Sequence, residues 1–411
     1  MEKVLSRALL STLTDEPVLV HMTTGEKGAL FIQKSKLYIT LELNDESNAY
    51  KDIPDSYEGR FTNSYIKIVH PRVISSKMWN SNEGETSRQV TLTYDYCIVS
   101  TIKKSLSSNK VSGIELTFPV LFHRPQEELK QAVTASNKSL EIITRTTDKS
   151  SMFSVKLKKP ISVEEAIRYR TRFERFFTSF SETSVQAEII ELSINDSYPL
   201  LITSDRPLHP REKKIEPTSI RPIKETVDLL LAYVTNFEKI GYATHLHASF
   251  VEYGDRKIYL ESRFSVLFAG VDSIYSKLTP PPSKKELARI SEYDTFISDA
   301  EKLANTKGNK NLIKFLKRTS TKQAYTSPVS FQTKLNTVYD YIGVDRLGSA
   351  LSERVNTLRN NIAHGNDYNF DDFVMEWTDP KTNRTYPAIT GKDIEDISYT
   401  LWLAIKKLAT Q

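Results

Sequence analysis

Apolar residues recur at every second position through the first part of this chain and at helical spacing through the second, with the change at about residue 160 to 223. In 36–43, Leu37, Ile39, Leu41 and Leu43 fall on one side of an extended segment. From Gln89 to Val99 the alternation runs without a break: Val90, Leu92, Tyr94, Tyr96 and Ile98 share one face, and Thr91, Thr93, Asp95 and Cys97 the other. Ile114, Leu116 and Phe118 alternate, as do Phe153, Val155 and Leu157. Turn-rich pieces at 44–48 and 80–84 separate these runs. Short alternating strands with one wet face predict an antiparallel sandwich or barrel-like domain.

The period then lengthens. Ser162 and Glu165 have the spacing of a capping box, and behind them Val163, Ala166, Ile167, Phe173, Phe176, Phe177 and Phe180 form an aromatic helical stripe expected to pack on the sheet. Gln186 to Ile194 and Leu200 to Thr203 are expected strands, which closes a β-rich sensing or regulatory domain over 1–205. Residues 206–222 carry Pro207, Pro210, Pro217 and Pro222 among many charges, the composition of a linker.

From Ile223 onward helical stripes predict an all-α domain, 223–411. The first is Ile223, Val227, Leu230, Leu231, Val234 and Phe237; the second is Leu260, Phe264, Leu267, Phe268, Val271, Ile274, Tyr275 and Leu278. Ser283 and Glu286 suggest a second capping box ahead of Leu287, Ile290, Tyr293 and Ile297. Phe331, Leu335 and Val338 form a short stripe, a hairpin is expected between Phe373–Trp377 and Thr385–Ile389, and a helix closes the chain over about 392–408. The fold class is therefore α+β in two domains.

One helix stands out for what it carries. Leu347, Leu351, Val355, Leu358 and Ile362 define its buried side, and Gly365 is placed to end it. At about 100° per residue, Asn360 and His364 share a face roughly opposite that stripe, with Arg359 on the flank. Arg, Asn and His thus point away from the domain's own core. A surface arginine and a histidine stabilising the helix C-terminus account for the same residues without chemistry.

Arg359-Asn360-x-x-x-His364 resembles the Arg-x(4–6)-His signature of the HEPN superfamily, including the polar residue after the arginine. With the β-rich first half and a helix bearing Glu261-Ser262-Arg263-Phe264, the whole chain resembles the ApeA type of HEPN proteins. The resemblance implies a helical-bundle ribonuclease that acts in anti-phage abortive infection. It further implies anticodon-loop cleavage of tRNA, a composite active site across a homodimer, and a phage protein as candidate trigger. Arg359 and His364 would be catalytic, with Asn360 assisting. A catalytically silent adaptor that binds RNA or a protein partner is the alternative.

RNA transesterification needs a base for the 2′-OH, an acid for the departing 5′ oxygen, and a cation for the phosphorane-like transition state. Histidine titrates in the range for the first two roles, and arginine presents a planar fork to phosphate. One motif histidine per chain is too few for both proton transfers, which fits an active unit of at least two chains.

Composition narrows the rest. A net charge of +5 permits nucleic acid without requiring it. The densest basic run is Lys302, Lys307, Lys310, Lys314, Lys317 and Arg318, which either tracks phosphates or is a solvated face. Lys156, Lys158 and Lys159 form a smaller patch with the same two readings. The single cysteine, Cys97, excludes an internal disulfide or a cysteine-rich zinc module and suits a reducing cytoplasm. His245 and His247 would share one face of an extended segment, but no third metal ligand is evident. Asp371, Asp372 and Glu376 are expected to be solvated. There is no phosphate-cradling glycine loop, no membrane-length apolar run and no convincing secretory signal, so no cofactor and no membrane association are expected.

Overall fold

The alternating segments join one antiparallel sheet in the computed structural model, which describes residues 17–33, 36–44, 54–61, 64–80, 86–103, 110–119, 121, 132–147, 150–204, 223–255, 260–279, 284–309, 311–313, 329–364, 370–380 and 382–411. Its early strands are β1 (Val18–Met22), β2 (Lys27–Gln33), β3 (Lys36–Asn44), β4 (Ser56–Phe61), β5 (Ser64–Val69), β6 (Arg72–Asn80), β7 (Thr86–Thr93) and β8 (Tyr96–Ser100). The later ones are β9 (Val111–Phe118), β10 (Val133–Ser136), β11 (Leu140–Thr146), β12 (Ser151–Ile161), β13 (Ile189–Ser193) and β14 (Leu200–Thr203). The order is β10-β11-β12-β9-β13-β14-β8-β5-β4-β1-β2-β3-β7-β6. Most neighbours are hairpins of adjacent strands. The others join strands distant in sequence: β12 with β9, β8 with β5, β4 with β1 and β3 with β7, while β13 pairs with β9 and β14 with β8, so that these two short strands stitch the two halves into one sheet.

Ile39, Leu41, Ile66, Ile68, Val90, Leu92, Val99 and Ile202 belong to one buried cluster. They come from strands as far apart in the order as β14 and β7, so the sheet curls around this core. The unbroken alternation from Gln89 to Val99 is not one strand. It breaks at Tyr94 and Asp95, where the Asp95 N–H donates to the Val69 carbonyl at 3.1 Å and its carboxylate meets His70 and Arg72. Cys97 is not on a wet face either, because all five residues of β8 are buried. The reason is visible at Tyr96, whose hydroxyl donates to Glu164 at 2.8 Å in the first turn of the helix that follows. Burial pushes the Cys97 thiol up to about 12, which marks an inert packing residue.

That helix, α1 (Val163–Ser181), starts as its capping box requires, with Ser162 accepting from the Glu165 N–H and Glu165 accepting from the Ser162 N–H. Its stripe packs on the sheet. The Phe177 ring lies 5.3 Å from Phe118 and 4.9 Å from Phe153, and Phe173 lies 5.8 Å from Phe153. Among these rings α1 also buries Arg170 and Glu174, whose side chains are 2% and 3% exposed. Glu174 also accepts from the Ala187 N–H at 3.1 Å, and Arg170 donates to Thr203.

The chain divides into two units, 1–237 and 238–411. The sequence reading began the helical half at Ile223, but α2 (Ile223–Thr235) belongs to the first unit. It packs on β10, β11 and α1, with Tyr233 5.2 Å from Phe176 and Asn137 donating to Thr235 at 2.7 Å. The expected linker, 206–222, lies outside the described residues.

The second unit is helical: α3 (Phe237–Asp255), α4 (Leu260–Leu278), α5 (Lys284–Thr306), α6 (Phe331–Ile342), α7 (Ser349–His364) and α8 (Gly391–Thr410). Helices α4, α6, α7 and α8 pack on one another around Phe268, Leu335, Val338, Val355, Leu358, Leu401 and Ile405. The expected capping box at Ser283 and the helix-ending Gly365 lie outside the described residues. The expected hairpin is reduced to β15 (Trp377–Thr378) against β16 (Thr385–Tyr386), though the Ile389 N–H still reaches the Phe373 carbonyl at 2.8 Å.

Removing one member of the Arg170–Glu174 pair strands a buried charge. Glu174→Ala is expected to cost about 3–5 kcal/mol, measured by urea denaturation followed through the far-UV circular dichroism of the full chain, whereas a paired Arg170→Met, Glu174→Leu replacement costs far less.

Candidate active site on α7

Helix α7 buries Val355 and Leu358 completely, and Leu351 and Ile362 at the ends of the stripe partly. Two polar residues also point inward. Ser352 is buried, and Arg354 is only 4% exposed. The Arg354 guanidinium donates to the carbonyls of Asp372 and, at 3.0 Å, Met375, and sits 5.2 Å from the Phe373 ring. Arg354 therefore pins the segment that follows the motif back onto the helix. Burial lowers its pKa, though an arginine stays charged under any ordinary condition.

At the other end of α7 the motif residues are in three different settings. Arg359 is 26% exposed and donates from Nη2 to Asp272 Oδ2 at 3.1 Å. Asp272, on α4, takes Lys334 Nζ of α6 on its second oxygen at 2.9 Å. One carboxylate thus lies between two cations, and the group keeps net positive charge. Arg359 Nη1 donates to the neighbouring Asn360 Oδ1 at 3.3 Å. A guanidinium has five N–H groups, so three remain without a partner among the described residues. Asn360 is partly exposed. His364, the last residue of α7, is exposed and has no described partner. The axial rise from Arg359 to His364 is about 7.5 Å, short enough for two such side chains to address one phosphodiester.

The structure adds residues that the pattern did not single out: Asp272, Lys334 and Arg354. Asp272 sits inside the apolar stripe of α4, between Val271 and Ile274, and an acid at the margin of a stripe is the signal that a cation must come to meet it. The basic run fares differently. Lys302 and Lys307 are exposed, and Lys302 pairs with Asp299 at 2.9 Å. Lys310, Lys314, Lys317 and Arg318 lie outside the described residues. Lys156, Lys158 and Lys159 are exposed, and Lys156 pairs with Glu141 at 3.5 Å.

His245 and His247 do not lie on a strand. Both are in α3, and the four-residue turn of the helix separates their directions. His247 is 1% exposed, stacks on Trp402 at 5.9 Å, and lies 3.1 Å from both the carbonyl and the hydroxyl of Ser398 on α8. It is a core residue, and no group of three metal-ligating side chains occurs among the described residues.

A scan against protein-family models, a search of curated proteins and a search of solved structures each return no match to this chain.

Burial pushes His247 from an ordinary 6.5 down to about 4. The unfolded chain then binds more protons than the folded one between those values, so stability is full above pH 6.5 and falls as pH drops. Lowering the pH from 7.5 to 5 is expected to remove about 2 kcal/mol through this group. His247→Gln, which keeps a donor for the Ser398 carbonyl, is expected to flatten that part of the urea-midpoint profile.

Proposed function

We propose that this protein is a metal-independent endoribonuclease of the HEPN kind, with Arg359 and His364 catalytic and Asn360 assisting. The observation that carries the reading is the end of α7. An arginine held in place by Asp272 keeps three N–H groups without a partner among the described residues, and an exposed histidine, likewise without a described partner, lies about 7.5 Å further along the axis.

In the reaction, one imidazole takes the proton of a ribose 2′-OH, whose oxygen attacks the adjacent phosphorus. The bond to the 5′ oxygen breaks, and a protonated imidazole supplies the proton that oxygen takes up. Arg359 neutralises charge that builds on the phosphoryl oxygens, from donors already oriented before the substrate arrives. A single His364 per chain calls for a homodimer in which two α7 ends share one cleft. The resemblance in the sequence extends the proposal to tRNA as the substrate and to anti-phage abortive infection, triggered by a phage product, in the cytoplasm.

One observation favours the adaptor reading. The Arg359–Asp272 pair, with Lys334 beside it, is also what a purely structural clamp between three helices looks like. Cleavage separates the two.

The wild type is expected to cut total RNA in EDTA, and His364→Ala to lose about 10²–10⁴-fold of that rate with fold and oligomer size unchanged. Arg359→Lys is expected to lose most activity as well, because an ammonium cannot reproduce the fork. A wild type that leaves RNA intact even in infected-cell extract identifies the adaptor, and a monomer that cleaves sinks the composite site.

A further inference from the structure

We propose that the cavity between α3, α4, α7 and the start of α8 is a binding site for a small organic monocarboxylate with a compact apolar body. The cavity encloses about 140 Å³. Phe250, Phe264, Leu358, Phe373 and Ile389 make its walls, and all five are at most 8% exposed. An apolar cavity of about 150 Å³ accommodates benzene, which sets the size of body that fits.

What distinguishes this space from a packing defect is the charge placed in it. The Arg263 guanidinium lines the cavity with its central carbon 4.7 Å above the Phe250 ring. It lies there because residue 254 is glycine: a Cβ at Gly254 would come within 2.7 Å of Arg263 Nη2. Arg263 has no ion pair among the described residues, and its Nε is buried without a hydrogen-bond partner. Arg263 is half-buried, and its Nε is a buried donor left unmade, a cost that an acceptor reaching the guanidinium from the cavity would recover. An aromatic face offsets only part of that cost.

The same wall holds the first turn of α8, a helix of 20 residues. Thr390 and Asp393 satisfy each other there in a capping box, and the exposed Gly391 lines the mouth of the cavity with nothing within 4 Å of where a Cβ would stand. The Asp393 carboxylate offsets the partial positive charge of the helix start, so Arg263 is the cation that faces a ligand. Glu395 also lines the cavity but is exposed, so it lies at the mouth. Its carboxylate disfavours a dianion such as a phosphate monoester and leaves room for a single negative charge at Arg263. The ligand's carboxylate thus takes the Arg263 donors, and its ring or branched chain fills the space between Phe264, Leu358 and Phe373. Binding here does not depend on the nuclease reading.

The test is calorimetric titration of the full chain with benzoate, cyclohexanecarboxylate and isovalerate, alongside neutral benzamide and body-less acetate. Saturable 1:1 binding of at least one of the three carboxylates is expected, with benzamide and acetate each at least about tenfold weaker. Arg263→Gln is expected to raise the dissociation constant at least about tenfold. Gly391→Leu, which puts a side chain across the exposed mouth and leaves Arg263 in place, is expected to raise the dissociation constant at least about tenfold and keeps the test decisive if Arg263→Gln misfolds. Absence of saturable binding by all three carboxylates, or binding unchanged by Gly391→Leu, overturns the site.

Discussion

Asp272 has one carboxylate and two cations to satisfy. Lys334 takes one oxygen and Arg359 the other, so α4, α6 and α7 meet at a single acid. Apolar stripes alone would allow each helix to rotate or slide by a fraction of a turn at modest cost. A carboxylate engaged on both oxygens fixes rotation and axial position together, because each partner has a defined direction. With side chains 21–29% exposed, these contacts are screened by solvent, and their value lies in orientation more than in net stability. The orientation matters at the end of α7, where Arg359, Asn360 and His364 all sit within the last two turns.

The first unit solves a different problem. A sheet of many short hairpins has too many edges and too little buried area per hairpin to be stable piecewise. Here β13 and β14 return after α1 and join β9 to β8, which converts two hairpin series into one continuous ladder. Phe118 and Phe153 on the sheet then meet Phe173 and Phe177 on α1 edge-on or tilted, so the helix covers a face that would otherwise be an apolar surface. The cover explains why β8 lacks a polar side. It also explains why Arg170 and Glu174 have to pair with each other: α1 is buried along a wider arc than its phenylalanine stripe indicates.

Much of this was legible in the sequence, and the exceptions share a cause. Periodicity located β3, β9, β12, β14, α1, α4, α6, α7 and α8 because each has one dominant buried face. It failed at Tyr94–Asp95, where two strands meet with their alternation in phase across a turn, so that nothing local marks the break. It failed at α3 as well. Tyr242, Thr244, His245 and His247 dilute the apolar stripe there, and His247 is a core residue that stacks on Trp402 and hydrogen-bonds Ser398, 151 positions away. The boundary at α2 went astray because a helical stripe says what must be buried, not against what. On α7, positions 359, 360 and 364 were readable from the helix wheel. Asp272 stood out only as an acid at the margin of an apolar stripe and Lys334 not at all, since pairing between distant helices leaves no trace of the partner in either segment.

Three arginines in the helical unit show how far the fold satisfies its own charges. Arg354 goes inward and finds the carbonyls of Asp372 and Met375. Arg359 stays near the surface and finds Asp272, which orients it and leaves donors without a partner among the described residues. Under the nuclease reading, an arriving phosphate has to share Arg359 with that acid. The pairing therefore weakens ground-state binding of the anion while holding the guanidinium ready for the larger charge of the transition state, the direction in which binding energy speeds a reaction. Arg263 has neither solution. An aromatic ring and a bare glycine make room for it, and no described carboxylate pairs with it. A fold that gives two of these cations protein acceptors, yet sets the third beside a cavity with none among the described residues, leaves the third for a molecule from outside.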